Sequence, residues 1–193
     1  MDGRVRRGEI NRQAIVDAAL ALVAEECTMP TAQAIADRAG VAKRSVFHHF
    51  PDLDGLFMEA GDTQANRYWP LLQHPDPEAR LDARIVAAVE QRSELFEAIG
   101  DVRRVALLHE HRSDALAERI RQSRTALRRH LVLALSPELR ALDRSAAEGV
   151  HAMASFETWE SIRRHQGLSI PVARAAVTST IESAFERAFS KEF

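Results

Sequence analysis

A 193-residue chain with a single cysteine, Cys27, has no intrachain disulfide to staple it and fits a reducing compartment. Glycine and proline are scarce, at 8 and 7 residues, and with 46% hydrophobic and 28% charged residues this excludes collagen-like, fibrous and disordered classes. No apolar run approaches the roughly 18 residues of a membrane-spanning helix. The opening "MDGRVRRGEI" has basic residues without the apolar core of a signal peptide. A cytoplasmic protein with no membrane partner is expected. Positive charge is not in excess either: the net charge is −2, so affinity for phosphate must come from a local patch. Catalytic signatures are also missing. No GxSxG, P-loop, GxGxxG or paired-carboxylate helix occurs, and one cysteine with scattered histidines assembles no nucleophile. Neither an enzyme nor a cofactor is expected. The stretch "HEHR", His109 to Arg112, spaces its histidines i and i+2, which point to different sides of a helix, so no metal site is expected.

What is present is helix. Strand-like alternation of period two never runs for a useful length, and the class read from the chain is all-α. Helix one is expected from Glu9 to Glu26, with Ile15, Ala18, Ala19, Leu22 and Val23 at the spacing of a buried stripe. Thr31 is a good N-cap for a short helix Ala32 to Ala39, which Gly40 ends by taking the left-handed conformation. A third helix follows from about Ala42 to His49, and Asp52 caps a fourth beginning near Leu53. Longer amphipathic helices follow the "QHPDPEA" loop, among them one from about Arg144 to His165 and a last one opened by Ser169, Ile170 and Pro171.

The stretch "GVAKRSVFHHF", Gly40 to Phe50, gathers Lys43, Arg44, Ser45, His48 and His49 on a short helix after a glycine turn. Capped helix, tight turn and exposed basic helix make a helix-turn-helix, whose second element enters the DNA major groove. Ile35, Ala36, Ala39, Val41, Val46 and Phe50 form its inner face, which leaves Lys43, Arg44, Ser45, Phe47 and His48 outward. Lysine and arginine pair with guanine acceptors or phosphates, and Ser45 serves either. An ordinary solvated helix is the bland alternative. His48 and His49 suit neutral hydrogen bonding beside phosphate, or a pH switch.

The segment "RQAIVDAALALVAEE…TAQAIADRAGVAKRSVFHHFPDLDGLF", Arg12 to Phe57, resembles the N-terminal DNA-binding domain of the TetR family of transcriptional repressors. The resemblance implies a three-helix helix-turn-helix domain, residues 1–52, joined to a larger helical ligand-binding and dimerisation domain, residues 53–193. It implies a homodimer that binds a palindromic double-stranded DNA operator and answers to a small-molecule effector. Base and backbone contacts fall on Lys43, Arg44, Ser45, Phe47 and His48, and phosphate contacts on Thr31, Gln33 and His49. Arg4, Arg6 and Arg7 resemble an arm laid along DNA. Four positions depart from the family pattern: Phe47 replaces a usual tyrosine, Leu53 a lysine, Arg44 a small residue and Cys27 a helix-ending glycine. The rival reading is a non-DNA-binding interaction protein built on a decayed helix-turn-helix.

For the larger domain, the residue pattern gives only weak markers. Phe96, His109, Met153, Phe156 and Trp159 are candidate pocket walls, because ligand sites between helices are mostly apolar with few polar groups, and each fits plain core as well. Val150 and Ala154, with Val177, Ile181 and Phe185, give apolar stripes on the last two helices; in the resembling family that pair builds the dimer interface. Arg119, Arg121, Arg124, Arg128 and Arg129 spread around their helix, as a solvated face does.

Overall fold

A computed structural model describes residues 3–190, with side chains from Val5 onward. The described residues form helices and no strand. They are α1 (Gly3–Glu26), α2 (Ala32–Ala39), α3 (Lys43–His49), α4 (Leu53–Tyr68), α5 (Leu81–His109), α6 (Asp114–Ala134), α7 (Glu138–Ala141), α8 (Arg144–Met153), α9 (Phe156–Glu160) and α10 (Ile170–Phe189). Single 3-10 turns occupy Trp69–Leu71 and Glu110–Arg112, and a π-helical turn occupies Ser161–His165.

Two compact units result. The first holds residues up to Arg67 together with Ile99–Ser123; the second holds Tyr68–Ala98 and the chain from Arg124 on. The core of the first joins Ile15, Val16 and Ala19 of α1 to Ile35 and Ala36 of α2, Val46 of α3 and Leu56 of α4, all essentially without solvent exposure. Full burial of side chains such as Val46 or Ile35 stabilises by about 1.5 to 3 kcal/mol each. The second unit packs Ile85, Val89 and Phe96 of α5 with Leu131 of α6, Val150 of α8 and Ile181 of α10 among its buried residues. The Phe96 and Phe156 rings meet edge to face at 5.5 Å between centroids.

Several boundaries differ from the sequence expectation, each for a local reason. Helix α1 starts at Gly3 rather than Glu9, because the Arg, Val and Glu residues there tolerate helix and Gly8 costs only about 1 kcal/mol. Arg6 and Arg7 are thus exposed positions on a helix; the Arg4 side chain lies outside the described residues. The expected helix from Arg144 to His165 breaks between Met153 and Phe156, where the Ser155 hydroxyl accepts from Thr158 N at 3.2 Å and starts a new helix. Serine competes for backbone donors in this way and favours caps over helix interiors. Cys27, at the position where the family pattern has a helix-ending glycine, is exposed with φ 51°, the left-handed conformation in which a glycine would be unstrained.

Val150, Ala154, Val177, Ile181 and Phe185 keep only 1 to 4% of their surface exposed within the single chain, where α8 packs on α10. Their stripe is filled by the chain's own core. Little of these side chains is left to present to a second copy.

Candidate nucleic-acid interface

Local sequence shapes the second and third helices almost without help. Thr31 is extended, at φ −77° and ψ 155°, and its hydroxyl accepts from Ala34 N at 3.2 Å to cap α2. Gly40 closes α2 at φ 68°, which lets Val41 N donate to Ala36 O at 3.0 Å. Any side chain at Gly40 would be strained at that φ. Ala42 then begins α3 without a side-chain cap, so the first backbone N–H groups of α3 have no intrachain side-chain acceptor.

Burial fixes which side of α3 faces out. Val46 has no exposed surface and Phe50 only 2%, whereas Lys43, Arg44, Phe47 and His48 are exposed and Ser45 and His49 half-buried. Phe47 keeps 44% of its surface in solvent, unusual for a ring that has an apolar core beside it. Lys43 and Arg44 make no ion pair with a described residue. Arg38 differs: it is held bidentate by Glu25, at 2.9 and 2.5 Å, and its charge is spent within the domain. Thr31 and Gln33 are exposed beside the start of α2, and the Gln33 amide donates to Asp37 at 2.8 Å.

A strut that no sequence pattern singles out holds α3 in place. Arg12 of α1 donates to the His49 carbonyl at 2.6 Å, forms a two-pronged ion pair with Glu59 of α4, and lies 4.2 Å over the Phe50 ring. One guanidinium thus ties α1, α4 and the end of α3 together. The sequence spacings of 37 and 47 residues carry no periodic signal. His49 is held below its ordinary pKa by burial first, then by the neighbouring charges of His48 and Arg12, so it stays neutral at pH 7. Leu53 also has a structural part: it is half-buried and packs on the core of the first unit.

Residues 15–60 match the family described as bacterial regulatory proteins, tetR family. The N-terminal domain is a TetR-family DNA-binding domain. On that match the chain is a DNA-binding transcriptional regulator. Its fold is similar to that of a transcriptional regulator from Rhodococcus sp. Rha1, which superposes with a TM-score of 0.68 over 94% of this chain and 97% of that one, at 20% sequence identity. No curated protein matches the regulator's sequence.

In the regulator's second unit, Phe96, Met153 and Trp159 line one cleft, together with Val89, Arg92 and Val177. Phe156 backs Phe96. His109 belongs to the first unit, at the end of α5, and is not part of this cleft. The Trp159 indole N–H donates to Glu97 at 2.9 Å, and Arg163 holds the same carboxylate below its usual range. Arginines on α6 are mostly paired at the surface: Arg121 with Glu118, Arg124 with Glu157 and Arg128 with Glu148. No cluster of three potential metal ligands occurs among the described residues, and none of their helices is long and apolar enough to cross a membrane.

Proposed function

We propose that the regulator is a homodimeric repressor that reads a roughly palindromic operator through residues 1–52 and senses a small molecule through residues 53–193. The observation that carries the reading is the pairing pattern around α3: Lys43 and Arg44 are exposed and have no ion pair among the described residues, while Arg38 of α2 is neutralised. Unpaired cations on the outward side of a helix that is buried behind are placed for phosphates and guanine edges. The exposed Phe47 ring offers apolar contact of the kind a thymine methyl accepts. Two recognition helices on a two-fold axis would read two half-sites about one helical turn apart.

The dimer surface in this reading is the outward side of the last helices. Gly149 and Ala152 of α8 and Val172, Ala175 and Ser179 of α10 are exposed, and small residues let helices approach closely. The effector acts by differential affinity, favouring a dimer whose two readers no longer fit successive grooves. Selection of bound sequences from a random DNA pool tests the whole reading. Enrichment of a palindrome supports it. If nothing is enriched by the purified chain, the reader has decayed and the interaction-protein reading, favoured by the half-buried Leu53 in place of a lysine, takes over.

A further inference from the structure

Apolar burial holds α3 against its domain but does little to fix its angle. Val46 and Phe50, one turn apart, are the buried contacts of a seven-residue helix. The hydrophobic effect is non-directional, so two such contacts define a line about which a short helix can still roll. At its start Ala42 supplies no side-chain cap. The other end is gripped. Arg12 Nη1 donates to the His49 carbonyl at 2.6 Å, at a helix end whose carbonyls have no intrahelical donor and where a cation is favoured. The same guanidinium is oriented twice more: Nε donates to one Glu59 oxygen at 2.9 Å with Nη2 on the other, and Cζ lies 4.2 Å from the Phe50 ring centroid. A planar fork held along one edge and over one face has its orientation set.

Both roots of this strut are rigid. Ile15 and Val16, three and four residues after Arg12 on α1, are fully buried, as is Leu56 one turn before Glu59 on α4. The strut therefore carries the frame of α1 and α4 to the end of α3. Its own side chains are not sealed off: Arg12 is 41% exposed and Glu59 34%. An exposed arginine beside a DNA-reading helix can serve as a phosphate ligand or as an internal brace. In the first role Glu59 competes with DNA for Arg12; in the second it is required. Nε, Nη1 and Nη2 all donate within the protein, which favours the brace.

We propose that Arg12 and Glu59 are a positioning pair that sets the angle of α3 on DNA and so contributes to base discrimination without touching DNA. The proposal rests on the reading of α3 as the recognition helix. Side chains that read base edges must be held to within about 0.5 Å, whereas phosphate contacts carry no sequence information. Loss of the pair should therefore weaken operator binding and leave binding to unrelated DNA nearly as it was.

The test uses the full chain and an operator selected from a random DNA pool. Fluorescence anisotropy over a range of salt compares that operator with an unrelated duplex of equal length, for the native chain, Arg12→Ala, Glu59→Ala and the double variant. Each single variant should lower the ratio of operator to unrelated affinity about tenfold, the size of one mismatched base pair. The double variant should lose no more than either single one, because the two residues act as a unit. Destabilisation alone would reduce the active fraction for both duplexes alike and leave the ratio unchanged. Glu59→Ala decides the sign: removing an acid beside the reader should tighten DNA binding through charge, whereas a brace requires the operator to be bound more weakly. Should Arg12→Ala misfold by circular dichroism, Glu59→Ala carries the test, since alanine keeps α4 helical. Operator binding by Glu59→Ala that is tighter or unchanged overturns the proposal. So do additive losses in the double variant, or a salt slope that Arg12→Ala flattens by about 0.9, the mark of a lost phosphate contact. A native chain that enriches no operator removes the recognition reading and the proposal together. An operator bound alike by the native chain and all variants removes the proposal alone.

Discussion

From Val5 to Ala60 every buried side chain is apolar, and Lys43 and Arg44, without an ion pair among the described residues, stand in solvent; the second unit instead buries Arg84, Arg92 and His130. The contrast separates two uses of charge. In the first region charge is kept where water or phosphate can solvate it, so the core rests on apolar burial and helix caps, with the half-buried Arg12 bracing α1, α3 and α4 at its edge. In the second, charge is inside, where each ion needs a specific partner and a missing partner is itself informative.

The largest effect that would break this contrast is at Glu138. Glu138→Ala should strip Arg84 of its counter-charge and destabilise the chain by about 3 to 5 kcal/mol, seen as a lowered urea midpoint, because the buried cation stays behind. A small effect would mean that Arg84 can be solvated where it is and that the interior is wetter than its burial indicates.

Acid should act on the same region. His130 is pushed down to about 4, first by burial and next by the charge of Arg92, against a hydrogen bond to the Gln73 carbonyl at 3.2 Å. The folded pKa lies below the ordinary value, so this stabilisation is fully present above about pH 6.5 and is lost as pH falls toward 4, up to about 3 kcal/mol. Chemical denaturation at pH 7 and pH 4.5 measures the loss, and His130→Gln should reduce it.

Effects on the reader should be smaller and of a different kind. Thr31→Ala removes the cap of α2 and should cost about 1 kcal/mol of stability, with DNA affinity weakened alike for all sequences. Leu53→Lys sharpens the comparison most finely. The added cation should steepen the plot of log affinity against log salt by about 0.9. Lost packing of the half-buried Leu53 should lower stability by about 1 kcal/mol. A steeper slope without a stability loss would mean that Leu53 contributes nothing to the core.

The two regions also differ in how far their sequences reveal them. The reader is built from contacts between near neighbours, and its signals are local: Thr31 three residues before Ala34, Gly40 at a helix end, Asp52 accepting from Gly55 N at 2.8 Å. Those read directly as caps and turns. Arg12 is illegible because its partners are 37 and 47 residues away and an arginine on an amphipathic helix looks like any solvated one. Arg92 is hidden for the same reason: only the folded chain shows that its position on α5 faces inward and that no carboxylate follows it there. The apolar stripes of α8 and α10 were legible as buried faces, but periodicity carries no information on whether a face is buried within one chain or between two. The break at Ser155 hinged on one hydroxyl, a choice that periodicity averages over.

The central claim is that the outward side of α3 reads DNA, and its most direct test is binding-site selection repeated with Lys43→Ala and Arg44→Ala. Each variant should lose about 1 to 3 kcal/mol of affinity for the wild-type operator and relax base preference at particular positions, leaving the rest of the enriched sequence as it was. If both variants keep the affinity and the full preference of the native chain, α3 is not the recognition helix.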